Sequence, residues 1–430
     1  MELTAGAAIA EITPAIGLAM GGYSLRKSSA VGTHDPINAR LLVLGDGRMA
    51  IAIVVCDLVA TPPALVAAVR ESVARATGIA PANVCVAATH THSGPVFLDS
   101  MTEEIAVAAG RIGEAAARAQ SAAQPVTLKL TTADVSSVGA NRRRPNGPIE
   151  RRAHILLADP GPPRAPVATL VNYACHATVL EHDNLEYSAD FPGAMARTIE
   201  HAVGGVGIYM QGAAGDINPV WMRHDFADVE RVGGILAGAA IRAVHELRPA
   251  GAGQRVINLS WDEEVDVAAA GRALRPCPLA IRSGFFDLPR RILPPSEELE
   301  GVYQERRATY EALPPEDVTG RRALKPLLNE LRMARSRKRH FPAAPGDTQR
   351  VEVQAFRIAE DCAILALPGE FFVEIGQELR RRSPFADLLI CGYANDFVSY
   401  VPRAKDFDDH GYEIGSALFA PELSRYRAVR

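Results

Sequence analysis

Residues 50–95 read AIAIVVCDLVATPPALVAAVRESVARATGIAPANVCVAATHTHSGP, and this stretch decides the fold. Its first seven residues, Ala50 to Cys56, form an unbroken apolar and β-branched run, the pattern of a strand buried on both faces. Thr61 and Pro62 then supply a helix N-cap and a proline at the first helical position. Leu65, Val66, Val69 and Val73 follow at helical spacing, and Gly78 closes the segment. A second apolar run, NVCVAA at 83–88, leads directly into Thr89-His90-Thr91-His92-Ser93-Gly94-Pro95. An imidazole-rich turn therefore follows a buried strand, which is where α/β proteins carry their chemistry.

The same alternation extends outward. Helical spacing recurs over residues 103–119, and Val126, Leu128 and Leu130 alternate with polar residues as in a half-exposed strand. Strands are expected at 154–158 and at 167–174, the second ending at Cys175-His176. A helix is expected at 191–202. A short strand at 206–210 opens into the small-residue loop GAAGDINP at 212–219, and another helix covers 227–247. Between residues 268 and 347 Pro and Arg become frequent and the apolar pattern weakens. Helical segments remain visible there near 296–311 and 324–339, so this stretch reads as a helical insertion or lid within a single domain spanning 1–430. The core pattern resumes with a hairpin over 351–358 and 362–367, a helix over 370–382 and a strand over 388–391. The expected fold class is α/β: a mixed β-sheet core flanked by helices, with a helical insertion.

Bulk properties narrow the function classes. Hydrophobic residues make up 48% of the 430 and charged residues 22%, ordinary values for a globular core. A net charge of −4 and a pI near 6.3 suggest neither a nucleic-acid partner nor an anionic membrane surface. No apolar stretch is long enough to span a bilayer. Met1-Glu2-Leu3-Thr4 lacks the basic and apolar regions of a secretory leader. The six cysteines stand singly, five of them in apolar or β-rich stretches, and read as buried free thiols of a reducing compartment. A cytoplasmic enzyme is the expectation.

Five loci could carry chemistry. His90 and His92 form an H-x-H pair that is either a metal site or two hydrogen-bonded histidines. His176 ends an apolar strand, as a core histidine or as a third nitrogen ligand would. Glu370, in Leu367-Pro368-Gly369-Glu370, is either a helix-dipole partner or an oxygen ligand completing a His/His/Glu set. The loop at 212–219 lacks the Lys-Ser/Thr ending of a phosphate loop, and its small residues would let backbone approach a ligand. Asp216 within it could orient a histidine, accept a proton, or cap its own turn. Arg142, Arg143 and Arg144 follow Asn141, and one of them could clamp a carboxylate or orient a carbonyl. The run Arg335, Arg337, Lys338, Arg339 and His340 reads as a solvated helix face. No G-x-S-x-G elbow is present.

Taken in order, THTHSGP at 89–95, Asn141-Arg142, Cys175-His176, Gly215-Asp216 before Pro219, Pro368-Gly369-Glu370, and Asn395, Tyr400 and Tyr412-Glu413 resemble the catalytic domain of the neutral/alkaline non-lysosomal ceramidases. The resemblance runs from Ile12-Thr13-Pro14 and Gly21-Gly22-Tyr23 to Tyr412-Glu413 and is poorest over 268–347. It implies one zinc held by His90, His176, Glu370 and Tyr400, with His92, Asn141 and Arg142 lining the same site. Two departures stand out. Asn218 occupies the place of the serine treated as catalytic in the family's G-D-x-S-P-N loop. The chain is also expected to lack the family's C-terminal immunoglobulin-like domain.

The expected reaction is hydrolysis of an acyl amide, small-molecule or lipid-like, by metal-activated water. His92, or else Asp216, would take the proton, and Arg142 and Asn218 would orient the carbonyl and its oxyanion. A zinc esterase or lactonase on a small polar metabolite is the first alternative, and a non-catalytic zinc-binding homologue the second. Phe285 and Phe286 are candidates either for lining an acyl groove or for packing the insertion.

Overall fold

The computed structural model describes residues 2–248, 271–314 and 316–419. The core is α/β, as expected, but it is built from two stacked sheets with a third closing one side. The first sheet runs, in spatial order, Val84–Ala88, Ala50–Cys56, Asn38–Gly45, Thr4–Glu11 and Gln124–Pro125. The second runs Val206–Gln211, Ala168–Tyr173, Arg152–Asp159, Thr127–Asp134 and Arg272–Ala273. The third runs Ala280–Pro289, Thr348–Ala359, Cys362–Ala366 and Asp387–Cys391.

The alternation of side chains along each strand explains the layering. Leu42, Leu44, Ile51 and Ile53 of the first sheet meet Leu156, Leu170, Ile208 and Met210 of the second and Phe356, Ile364 and Leu389 of the third in one apolar cluster. The opposite face of the first sheet, with Leu41, Val43 and Val54, packs on the helices Pro63–Thr77 and Thr102–Ser121. The opposite face of the second, with Ile155, Val171 and Tyr209, packs on Asp190–Val203 and Phe226–Leu247. The strands read as continuous apolar runs because both faces are covered. Each fully buried Val, Leu or Ile contributes roughly 1.5–3 kcal/mol.

Each sheet contains one parallel pair joined by a helix. These pairs are Ala50–Cys56 with Val84–Ala88, Ala168–Tyr173 with Val206–Gln211, and Cys362–Ala366 with Asp387–Cys391. The C-terminal ends of these pairs deliver His90, His176, the loop at 212–219 and Glu370.

Several local expectations change. Thr61 does not cap the first helix. Its hydroxyl is buried and faces the carbonyls of Val86 and Tyr393 at 3.5 and 3.4 Å, and the helix starts at Pro63 after Pro62. Gly78 does close it, in left-handed backbone. Within the stretch read as a helical insertion, the helices Ser296–Ala312 and Val318–His340 are present. They are preceded by a strand, Ala280–Pro289, which forms the edge of the third sheet against Thr348–Ala359. Residues 268–270 lie outside the described residues. Phe286 packs with Val351, Val398 and Phe419, while Phe285 is exposed beneath Arg350. The basic run at 335–340 is largely turned inward. Arg337 is buried against the Ala417 carbonyl, Arg335 pairs with Glu300, and Lys338 reaches the Leu293 carbonyl. The cysteines are free, and all but Cys277 are buried. No helix among the described residues is long and apolar enough to cross a membrane.

Candidate metal centre and active site

His90 lies two residues past the strand Val84–Ala88, in left-handed backbone at φ 67°. Such a conformation costs a non-glycine residue on the order of 1–3 kcal/mol and persists only where the surroundings impose it. Here the His90 backbone N–H donates to the Leu58 carbonyl at 2.9 Å. The turn brings the two rings of the H-x-H pair together, with centroids 4.7 Å apart and Nε2 of His92 3.1 Å from Nε2 of His90. His176, three residues past Ala168–Tyr173, places its ring 4.6 Å from that of His90. Glu370 and Tyr400 stand side by side in the short parallel pair Glu370–Phe371 and Tyr400–Val401. Glu370 Oε2 is 3.2 Å from His176 Nε2 and 3.4 Å from His90 Nε2, and the Tyr400 hydroxyl is 3.5 Å from His176 Nε2. The structure thus brings together all four residues expected as ligands, with His92 beside them.

The second nitrogen of each ring settles its tautomer. His90 Nδ1 is 2.6 Å from the Val59 carbonyl, and His176 Nδ1 is 2.7 Å from that of Ala214 and 3.2 Å from that of Ile217. A carbonyl only accepts, so both Nδ1 atoms carry hydrogen and both rings turn Nε2 to the cluster. Burial, reinforced by Arg142, keeps His176 neutral, with a pKa lowered to about 4. Burial and the two neighbouring imidazoles hold His92 well below the ordinary histidine range. Burial alone would raise Glu370, but His90 and His176 outweigh it and hold the carboxyl below the usual carboxylate range. Two imidazole Nε2 atoms and a carboxylate oxygen therefore converge in a buried site. The donor atoms of His90, His92 and His176 all lie within 4.8 Å of one another. This buried group could hold a metal ion, and its nitrogen and oxygen donors fit a divalent transition metal.

His92 is held from behind. A Cβ at Gly22, whose φ is +90°, would sit 2.2 Å from the His92 ring, so only glycine admits the ring there. Tyr23 meets the ring edge-on at 4.8 Å, and Arg26 Nη1 donates to the His92 carbonyl at 2.8 Å. His92 Nδ1 is buried without a hydrogen-bond partner among the described residues.

Arg142 reaches across to the cluster. Its Nε donates to Glu413 Oε1 at 2.8 Å and its Nη1 to Asn218 Oδ1 at 3.0 Å. Its Nη2 donates to the Gly215 carbonyl at 2.8 Å and to the Tyr400 hydroxyl at 2.9 Å. Asn141 aims it: Asn141 Oδ1 accepts from the backbone N–H groups of Arg143 and Arg144, and Asn141 Nδ2 donates to Asp216. Asp216 serves as a brace here. Its carboxylate accepts from Asn141 Nδ2 at 2.9 Å and from the Val373 backbone at 2.8 Å, so it ties the Arg142 loop to the helix Val373–Arg382. Burial raises its pKa to about 6. The loop glycines also act differently from expectation. A Cβ at Gly215 would lie 2.4 Å from the Glu370 carbonyl oxygen, so the close approach is to the protein's own ligand segment.

A cleft of about 730 Å³ opens over the cluster. His92, Arg142, Asn218 and Tyr400 form its floor, and Tyr23, Trp221 and residues of the helix Val318–His340 form its walls. Sequence reasoning assigned no role to Glu413, although it lies in a quoted motif. It accepts from Arg142 and, at 2.7 Å, from Arg143. Nothing in the sequence pointed to Trp221, whereas the helix wall falls within the stretch read as an insertion or lid.

Residues 3–222 match the family described as neutral/alkaline non-lysosomal ceramidase, N-terminal. A neutral ceramidase of Mycobacterium tuberculosis is 23% identical over 97% of this chain and 74% of its own length. The crystal structure of neutral ceramidase from Pseudomonas aeruginosa superposes with a TM-score of 0.71 at 22% identity, covering 99% of this chain and 72% of that one. A ceramidase complexed with C2 gives a TM-score of 0.70 at 20% identity, over 99% of this chain and 73% of that one. This chain belongs to the neutral/alkaline non-lysosomal ceramidase family, whose members are hydrolases of amide C–N bonds.

Proposed function

We propose that the chain is a zinc-dependent amidase that cleaves an N-acyl amide with water. The observation that carries this reading is the convergence of the His90 and His176 Nε2 atoms on the Glu370 carboxylate within 3.4 Å. Zinc would be held by His90, His176, Glu370 and Tyr400, where it supplies Lewis acidity to the scissile carbonyl and acidifies the attacking water. The residues around it divide the remaining work. His92 is neutral and buried, so it can accept a proton without first losing one. Arg142 is fixed by four hydrogen bonds and keeps its charge beside the Tyr400 hydroxyl, where a developing oxyanion is stabilised. Asn218 stands where the family's loop carries serine. Its Oδ1 is taken by Arg142, which leaves its amide nitrogen to donate into the cleft. The Val59, Ala214 and Ile217 carbonyls fix the ring orientations before any ligand arrives.

The test is a side-by-side panel of N-acyl amides and matched esters. It is run on protein stripped with chelator and on the same protein reloaded with zinc. Amide cleavage that vanishes on stripping and returns with zinc supports the reading. Ester cleavage without amide cleavage would transfer the chain to the esterase alternative. Full amide turnover after stripping would remove the metal from the reaction.

A further inference from the structure

The charges lining the cleft fall into two groups. Those near the metal cluster are matched: Arg142 and Arg143 share Glu413, while Arg144 pairs with Asp406 and Asp409. Glu181 lies within reach of His224, and His410 within reach of Glu330. The opposite wall differs. Arg322, Lys325 and Arg332 of the helix Val318–His340 all face this cleft, and none of them has a carboxylate partner among the described residues. Their spacing of three and seven residues puts them along one helix face. Asn329 lies on the same face and lines the same cleft. Arg332 is half-buried, and its Nε is buried without a hydrogen-bond partner among the described residues. That Nε–H has lost water without gaining an acceptor, an arrangement suited to an incoming anion.

Apolar surface lines the cleft beside these cations: Leu25, Trp221 and Pro326 join the rings of Tyr23, Tyr400 and Tyr412, and Leu25 is 54% exposed. Phe285 and Phe286, the candidates for lining an acyl groove, lie elsewhere.

We infer that the substrate is a small amide bearing an anionic group, a carboxylate or phosphate, which Arg322, Lys325 and Arg332 receive while the amide lies over the metal cluster. This rests on the amidase reading above. The three cations act on binding, so they discriminate substrates by charge rather than by chain length. A paired cation would not do this, because its field is already cancelled by its carboxylate.

The experiment uses three probes that share one acyl chain: N-hexanoylglycine, its neutral carboxamide, and N-hexanoyl-O-phosphoethanolamine. Binding is measured by calorimetry, which needs no turnover, and kcat and KM are measured on zinc-loaded protein. The proteins are wild type and the triple variant Arg322→Gln, Lys325→Gln, Arg332→Gln. Wild type is expected to bind at least one anionic probe about tenfold more tightly than the neutral one, with the tighter of the two identifying carboxylate or phosphate. The preference should fade as salt rises. In the triple variant it should fall to near unity, with the loss in KM and little change in kcat. Equal or tighter binding of the neutral probe by wild type would overturn the inference while leaving the amidase reading intact. An undiminished charge preference in a correctly folded triple variant would also overturn it. Anion-selective binding without cleavage of any probe would sustain the cleft's specificity and count against the amidase reading instead.

Discussion

Replacing Arg142 with lysine keeps the positive charge and removes the fork. Arg142 spans four acceptors on three different segments: Glu413, Tyr400, and Gly215 and Asn218 of one loop. A single ammonium on a flexible stem cannot reach across that span, so at least two acceptors lose their donor. Each buried polar group left unpaired costs roughly 1–3 kcal/mol, so Arg142→Lys should lose about 2–4 kcal/mol of stability. Glu413 retains Arg143 at 2.7 Å, which limits the damage. The catalytic effect should be larger than the structural one. Losing one preorganised donor at a developing oxyanion typically lowers kcat by ~10²–10³, or about 3–4 kcal/mol. Zinc content should not change, because Arg142 is not among the ligands. The assay is denaturant unfolding, metal content and kcat on the best amide of the panel, all on one preparation. A variant with full zinc, wild-type stability and kcat within about threefold of wild type would refute the role given to Arg142.

Three further outcomes follow from the same geometry. His92→Ala should keep about one zinc per chain and lose ~10²–10⁴ in kcat as a missing proton acceptor; loss of the metal instead would make His92 a ligand. Gly215→Ala places a methyl 2.4 Å from the Glu370 carbonyl oxygen, so it should cost about 1–3 kcal/mol and weaken zinc binding, and an unaffected variant would contradict the packing described. Burial raises Asp190 to about 7, above its unfolded value, so the protonated form suits the fold. Its contribution is therefore fully present below about pH 4 and lost as pH rises through 7. The stability difference between wild type and Asp190→Asn should accordingly shrink, by a few kcal/mol, between pH 4.5 and pH 8, and a constant difference would dispose of that shift.

What the sequence revealed depended on how strongly each segment's pattern was tied to one face. Ala50–Cys56 and Ala168–Tyr173 were legible because strands covered on both faces must be continuously apolar. That same property hid the architecture. A strand between two sheets and a strand between a sheet and a helix look alike, so two stacked sheets read as one. Thr4–Glu11 (TAGAAIAE) and Asn38–Gly45 escaped notice, the former because alanine and glycine carry little strand propensity. Ala280–Pro289 was missed because an edge strand with Arg, Ser and Gly lacks a clean alternation.

The site was more legible than the fold because its residue types are unusual after apolar strands. His90, His176 and Glu370 were marked by that position, and Tyr400 by the ordered motifs alone. Asp216 stayed ambiguous because a buried carboxylate looks the same in sequence whether it moves a proton or ties two loops together. Arg322, Lys325 and Arg332 carried no signal, since only the fold shows which helix face overlooks the cleft.

The central claim is that His90, His176, Glu370 and Tyr400 hold a catalytic zinc. The most direct measurement is elemental analysis of purified wild type beside the double variant His90→Ala, His176→Ala. About one zinc per chain in wild type, absent from a folded variant, is the result expected. Wild-type protein that takes up no metal even after incubation with zinc would contradict the account at its foundation.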